Sequence, residues 1–337
     1  MFLYSKSLQI LHMNKRVQRY FKEGVQSIQK INHMGNNRLF EVLVNNNKYL
    51  LKEYSIIQKN WDRGKTEFEA VKYLNQKRFG EVPMCINYYP EDNIGIYSFE
   101  EGRVLNIKDV NSDHISLGVD FITKLHKIND EDKRGFKPER TARFSLISYV
   151  ELLENRLESI EKNFYGSSDN KYFLNNLVKE KINELKSNVL PYGEIYINRK
   201  LRLNEQVLTS GDFGFHNMLY NGKKSKFIDF EYFGRDDPVK EILNFLHHDK
   251  NTDLDRKLKE QFLEEYKKII NVDQFFEERL TLADPLIGMN WVLIGCGFLN
   301  NDYYQHMKFS YGDNLEELLE NRIKKAKNKL NNLKFFS

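Results

Sequence analysis

Three oxygen-bearing side chains fall within one short stretch of this 337-residue chain. Asp212 and Asn217 stand five apart in Ser210-Gly211-Asp212-Phe213-Gly214-Phe215-His216-Asn217, and Asp229 follows in Phe227-Ile228-Asp229-Phe230. Hard cations such as Mg²⁺ take oxygen ligands and commonly use one or two protein groups together with substrate phosphates. An aspartate in the same loop can orient or deprotonate a hydroxyl nucleophile. Taken singly, loop Asp and Asn residues cap turns. As a set they are suited to metal-assisted attack by a hydroxyl.

Asp212-x-x-x-x-Asn217, then Ile228-Asp229 twelve residues after Asn217, then Asp236-Asp237-Pro238, resembles the catalytic segment of the aminoglycoside phosphotransferase and choline kinase family. The resemblance extends over residues 25–330, is densest at 206–245, and points to a bacterial member of undefined substrate. The family's usual His-Gly-Asp reads Ser210-Gly211-Asp212 here. The resemblance implies an α+β, bilobal, protein-kinase-like fold: a small N-terminal antiparallel sheet lobe with one main helix, and a larger, mostly helical C-terminal lobe. It implies ATP and Mg²⁺ as cofactors and a small-molecule hydroxyl acceptor such as a sugar, aminoglycoside or amino alcohol. Asp212 would be the catalytic base, Asn217 and Asp229 the metal ligands, and Asp237 a structural brace.

The same likeness assigns roles in the first third. Lys52, in Tyr49-Leu50-Leu51-Lys52-Glu53-Tyr54, sits where the family's third strand carries the lysine for the α- and β-phosphates. That ammonium needs a carboxylate to hold it. Glu67 is the first choice and Glu69 the second, because two residues along a helix turn the side chain by about 200°. Gly35 and Asn37, in Gly35-Asn36-Asn37-Arg38, lie where a phosphate-covering loop belongs, although Gly35 also suits an ordinary hairpin. Adenine would meet backbone groups in Ser98-Phe99-Glu100-Glu101, which makes Phe99 and Glu100 nucleotide-site candidates. Gly64-Lys65-Thr66 ends like a Walker A motif, but Lys59 occupies its first glycine position and no strand precedes it.

The elements that must position these groups follow from periodicity. Ser27–Ile31, Leu39–Asn45, Lys48–Tyr54 and Asn93–Phe99 are β-prone runs, with a turn at Asn45-Asn46-Asn47. Phe68, Val71 and Leu74 recur at helical spacing within Lys65–Lys77. Further helices are expected over Asp113–Ile128, Leu146–Asn163, Tyr172–Asn188, Asp255–Ile270, Pro285–Leu299 and Leu315–Leu333, with strand, loop and strand over Gln206–Gly234. The expected division is an extension at 1–24, a nucleotide-covering lobe at 25–101 and a helical lobe at 102–337. The acceptor is expected against helices Leu146–Asn188 and the segment Pro285–Tyr303.

Composition narrows the remaining classes. Apolar residues make up 40% and charged ones 30%, which excludes a collagenous or wholly disordered chain. The net charge of +4 is too balanced to imply nucleic-acid binding, and acids preceding bases along the last helix match its dipole. Cys85 and Cys296 form no CxxC, and neither a signal peptide nor a membrane span is expected, so a cytoplasmic setting follows. His247-His248-Asp249 reads as a helix-end cluster rather than a chelate, since adjacent residues do not face one another. A catalytically inactive nucleotide-binding scaffold is the alternative to an enzyme.

Overall fold

Val25–Ile31 (β1), Arg38–Val44 (β2), Asn47–Glu53 (β3), Cys85–Tyr89 (β4) and Ile94–Ser98 (β5) form one antiparallel sheet in the order β1-β2-β3-β5-β4. The computed structural model describes residues 17–21, 23–31, 37–55, 61–272, 274–311 and 315–336. Gly35, expected in a phosphate-covering turn, lies outside the described residues. Phe40, Val42, Val44, Leu51, Ile94 and Ile96 alternate onto one sheet face and build its core with Val17. Lys52, next to Leu51, must point to the other face, where Arg63–Gln76 (α1) buries Glu67, Ala70, Val71 and Leu74. The β2–β3 hairpin turns through Asn45 and Asn46 at φ +48° and +63°, the conformation of a type I′ turn. Strand β4 carries no clear alternation in the sequence and was not expected.

Gly64, the glycine of the Walker-like tripeptide, lies inside α1. A Cβ there would come within 2.8 Å of Tyr54 and Tyr88. The residue serves close packing within a helix, in agreement with the rejection of a phosphate loop.

The chain divides into two compact units. The first is Met1–Arg103 with Met218–Glu231, and the second is Val104–Asn217 with Tyr232–Ser337. This differs from the expected single helical lobe at 102–337. The hairpin Met218–Tyr220 and Ser225–Phe227 belongs with the first unit because its groups are bonded there. Phe227 N donates to Glu81 O at 2.7 Å, and Lys226 Nζ reaches Val82 O and Glu100, each at 3.1 Å.

The second unit is built from Ser112–His126 (α2), Leu146–Lys162 (α3), Lys179–Val189 (α4), Pro238–His247 (α5), Arg256–Lys267 (α6), Gln274–Cys296 (α7) and Leu315–Leu330 (α8). Helix α5 was not foreseen, although Asp237 as cap and Pro238 at the first position are a standard start signal. The expected helix at Tyr172–Asn188 is broken by a π-helical segment at Phe173–Val178. Helix α7 begins eleven residues before Pro285 and runs through it. The stretch Gln274–Leu299 is apolar and long enough to cross a membrane, yet 72% of its most apolar window is buried within the protein. Gly288 lets the C-terminal tail close in, since a Cβ would stand 2.2 Å from Leu333 O.

Candidate active site

In the first unit, Lys52 is buried on β3 between two carboxylates. Its Nζ lies 2.7 Å from Glu67 Oε2 and 2.5 Å from Asp229 Oδ1. Tyr54 Oη also donates to Glu67 Oε2, at 2.8 Å, and Phe230 N donates to Glu67 Oε1. Burial alone would depress the Lys52 ammonium, but Asp229, then Glu67 and Glu231, hold it well above its ordinary value, so it stays charged. Glu69, the second choice, is solvent-facing and pairs loosely with Lys65 at 3.8 Å. The helix rotation separates the two glutamates as expected.

Asp229 adopts φ +69°, a left-handed conformation that Asp tolerates better than most residues. Its side chain is about one-third exposed, and only Oδ1 is engaged by Lys52. The neighbouring Glu231 is buried against Arg63 at 3.3 Å and Asn37 Nδ2 at 2.8 Å. Burial first, and then the Asp229 charge, push the Glu231 carboxyl up to about 7. Asn37 is therefore committed through its amide N–H to Glu231, and its Oδ1 accepts from Ser55 N. Its side chain braces the protein rather than standing free for a phosphate. Glu100 is held by Ser98 and Lys226, while Phe99 lies under the Lys48 ammonium; the backbone of 99–102 is outside regular structure.

In the second unit, the strand pair Val207–Thr209 and Gly234–Asp236 brackets the loop that carries Asp212. Gly211 sits at φ +82°, and a Cβ there would meet Tyr232 Cβ at 2.5 Å. Phe213 and Phe215 point inward and pack against Phe245, the first tilted and the second edge-on, with ring centres 5.9 Å apart in each pair. Asp212 is left about one-third exposed. Asn217 Nδ2 donates to Asp212 O at 2.9 Å, which leaves the amide oxygen of Asn217 for another partner.

Two histidines hold the Asp212 carboxylate. His248 Nε2 lies 3.1 Å from Oδ1, and His216 Nε2 lies 3.4 Å from Oδ2. His248 Nδ1 accepts from Lys250 N at 2.9 Å, so the ring proton resides on Nε2 and is donated to Asp212. Burial opposes ionisation of Asp212, but the bonds from His216 and His248 win and keep it well below the usual carboxylate range. Asp212, His216 and His248 have one donor atom each within 4.8 Å of one another, the spacing of a metal site. However, metallation of His248 at Nε2 would require the proton on Nδ1, where the Lys250 N–H already points. The trio is a hydrogen-bonded clamp. His216, inside the loop, is no obvious substitute for the missing histidine in the sequence, and His248, 36 positions from Asp212, carries no local signal of the contact.

Asp237 behaves as the expected brace. It is fully buried, receives a bidentate Arg279 at 2.8 and 3.0 Å and the Tyr149 hydroxyl at 2.8 Å, and caps α5. Asp236 binds Lys240 and Arg143 N, and Glu241 binds His126 and Tyr266. None of these acids is left for a ligand.

Residues 27–276 match the phosphotransferase enzyme family (APH). No match is found among curated proteins. The fold is similar to that of the choline kinase LicA from Streptococcus pneumoniae, with TM-score 0.62 and 16% identity over 95% of this chain and 99% of that one. It is also similar to a choline/ethanolamine kinase family protein from Mesorhizobium loti, with TM-score 0.58 and 15% identity over 90% and 88%. A spectinomycin phosphotransferase in complex with ADP and spectinomycin gives TM-score 0.60 and 12% identity over 94% and 96%.

Proposed function

Because the chain belongs to the phosphotransferase enzyme family, we propose that it transfers the γ-phosphate of ATP to a hydroxyl of a small molecule in a Mg²⁺-dependent reaction. The observation that carries this reading is the Lys52 ammonium fixed between Glu67 and Asp229 at 2.7 and 2.5 Å. A buried lysine kept charged by two acids, one of them part-exposed, is a ready partner for phosphate oxygens.

Lys52 takes the α- and β-phosphates. The amide oxygen of Asn217 and the carboxylate of Asp229 are hard donors of the kind Mg²⁺ selects, and these two residues would hold it. When bound, the ion offsets charge on the β- and γ-phosphates. Asp212, ionised by its two imidazoles, accepts the acceptor's O–H and aligns its oxygen. The oxygen attacks the γ-phosphorus, a new O–P bond forms, and the bond to the β,γ-bridging oxygen breaks with its electron pair leaving on ADP. The hydroxyl proton passes to Asp212. Positioning and charge neutralisation supply most of the rate.

Asp212→Ala is expected to abolish transfer while ATP still binds, and Asp229→Ala to lose metal-dependent nucleotide binding. Calorimetric titration with ATP and Mg²⁺, beside an ADP-release assay over a panel of hydroxyl compounds, measures both. Wild-type turnover in the Asp212 variant would refute the assignment. ATP binding with no transfer to any acceptor would favour a scaffold.

A further inference from the structure

Two helices of the second unit turn the same sign of charge toward one hollow. Arg256 and Lys259 lie one turn apart on α6, and Lys325, Asn328 and Lys329 share a face of α8. With Lys334 and the end of α5 they line a cavity of about 430 Å³, within the size range of small-molecule sites. Five lining side chains are cationic and one, Asp249, is anionic. Asp249 is already bound by Lys329 at 3.1 Å, and Arg256 by Glu260 at 2.9 Å. The side-chain ammonium groups of Lys259, Lys325 and Lys334 have no ion pair or hydrogen bond among the described residues. Burial, then Lys329 and Arg256, lower the Lys259 ammonium to about 8. Asp253 also faces Lys259, so the cations outnumber the acids around the hollow rather than standing alone. A surplus of cations around a hollow is the complement of an anion with several oxygens.

The cavity lies one ring from the candidate base. His248 lines it, and the same imidazole donates to Asp212 at 3.1 Å. Trp291 packs on that ring at 4.3 Å, with its indole N–H buried and without an acceptor among the described residues. Three of the acids that follow the candidate base in the chain are engaged elsewhere: Asp236 on Lys240, Asp237 on Arg279, and Glu241 on His126 and Tyr266.

We propose that this cavity receives the acidic group of the acceptor, so that the acceptor is a small hydroxyl compound bearing a phosphate or comparable dianion. The assignment rests on phosphotransfer at Asp212 and names the substrate class of that reaction. It is the reverse of what a quaternary ammonium such as choline would require.

Competitive acetylation with acetic anhydride at pH 8, followed by peptide mapping of the full chain, reads each lysine separately. At constant ionic strength, inorganic pyrophosphate is expected to slow Lys259 about fivefold, since raising its pKa by one unit from about 8 cuts the reactive amine at pH 8 from about one-half to about one-eleventh. Lys324, on the same helix but outside the cavity, is expected to keep its rate, and Lys52 reports independently on the first unit. Equal slowing at Lys324, or none at Lys259, overturns the site. In the second arm, glycerol 3-phosphate is compared with glycerol in the ADP-release assay. The Lys259→Gln/Lys325→Gln variant is expected to raise KM for the phosphorylated compound about tenfold with kcat held. Glycerol turned over as well as its phosphate ester overturns the acceptor assignment. Protection of Lys259 with no transfer to any hydroxyl overturns the phosphotransfer reading and leaves the anion site standing.

Discussion

His248 fixes the candidate base by a chain of two donors: Lys250 N to Nδ1, and Nε2 to Asp212. The family's usual histidine two positions before the base is Ser210 in this sequence. Support for the carboxylate arrives from residues 216 and 248. His248→Ala leaves only the 3.4 Å contact from His216, and an aspartate displaced by about 1 Å can cost on the order of 10²-fold in rate. We expect kcat to fall on that scale while KM for ATP holds, and His248→Gln, which still donates, to recover part of the loss; steady-state kinetics on both variants checks this. Glu231 gives a pH test. Its carboxyl rises from 4.5 to about 7 on folding, because of burial and the Asp229 charge. Between those values the folded chain holds a proton that the unfolded chain has released, so this contribution is full below the lower value and is lost as pH rises through the upper. Glu231→Gln lacks the loss. Its melting temperature relative to wild type should therefore be more favourable at pH 8 than at pH 5, a swing of at most about 3 kcal/mol. A difference independent of pH would contradict the placement of that carboxyl.

Elements carry the loop to its place, and their legibility varied for physical reasons. The Phe213 and Phe215 side chains anchor the base's loop among Phe245 and Phe262. Phe215→Ala should cost about 3–5 kcal/mol by cavity formation, seen as a lower denaturation midpoint. Helices α1, α2, α3, α6 and α8 and strands β1, β2, β3 and β5 were readable because each buries one face, so apolar residues recur at the period of the element. Helix α7 is buried nearly all round, which hides its period, so the sequence pattern places its start at Pro285 whereas the helix begins at Gln274. Asp212, Asn217 and Asp229 fall in one short segment that stands out in the sequence, and the resemblance pairs Lys52 with Glu67, a contact the structure contains at 2.7 Å. The clamp and the cationic hollow were not readable, since each is assembled from segments far apart in the chain.

At the scale of the molecule, the buried Arg279–Asp237 pair ties α7 to the start of α5 in the second unit. Arg279→Leu would leave Asp237 charged and buried without its guanidinium, and we expect about 3–5 kcal/mol of destabilisation, measured by denaturant titration. Met218–Glu231 leaves the second unit to complete the first. A chimera cut once after residue 103 would transplant the lysine cradle without Asp229, and Lys52 would keep only Glu67 of its two counter-charges. An exchange that keeps Lys52 between both of its native acids must accordingly move two segments of the chain together.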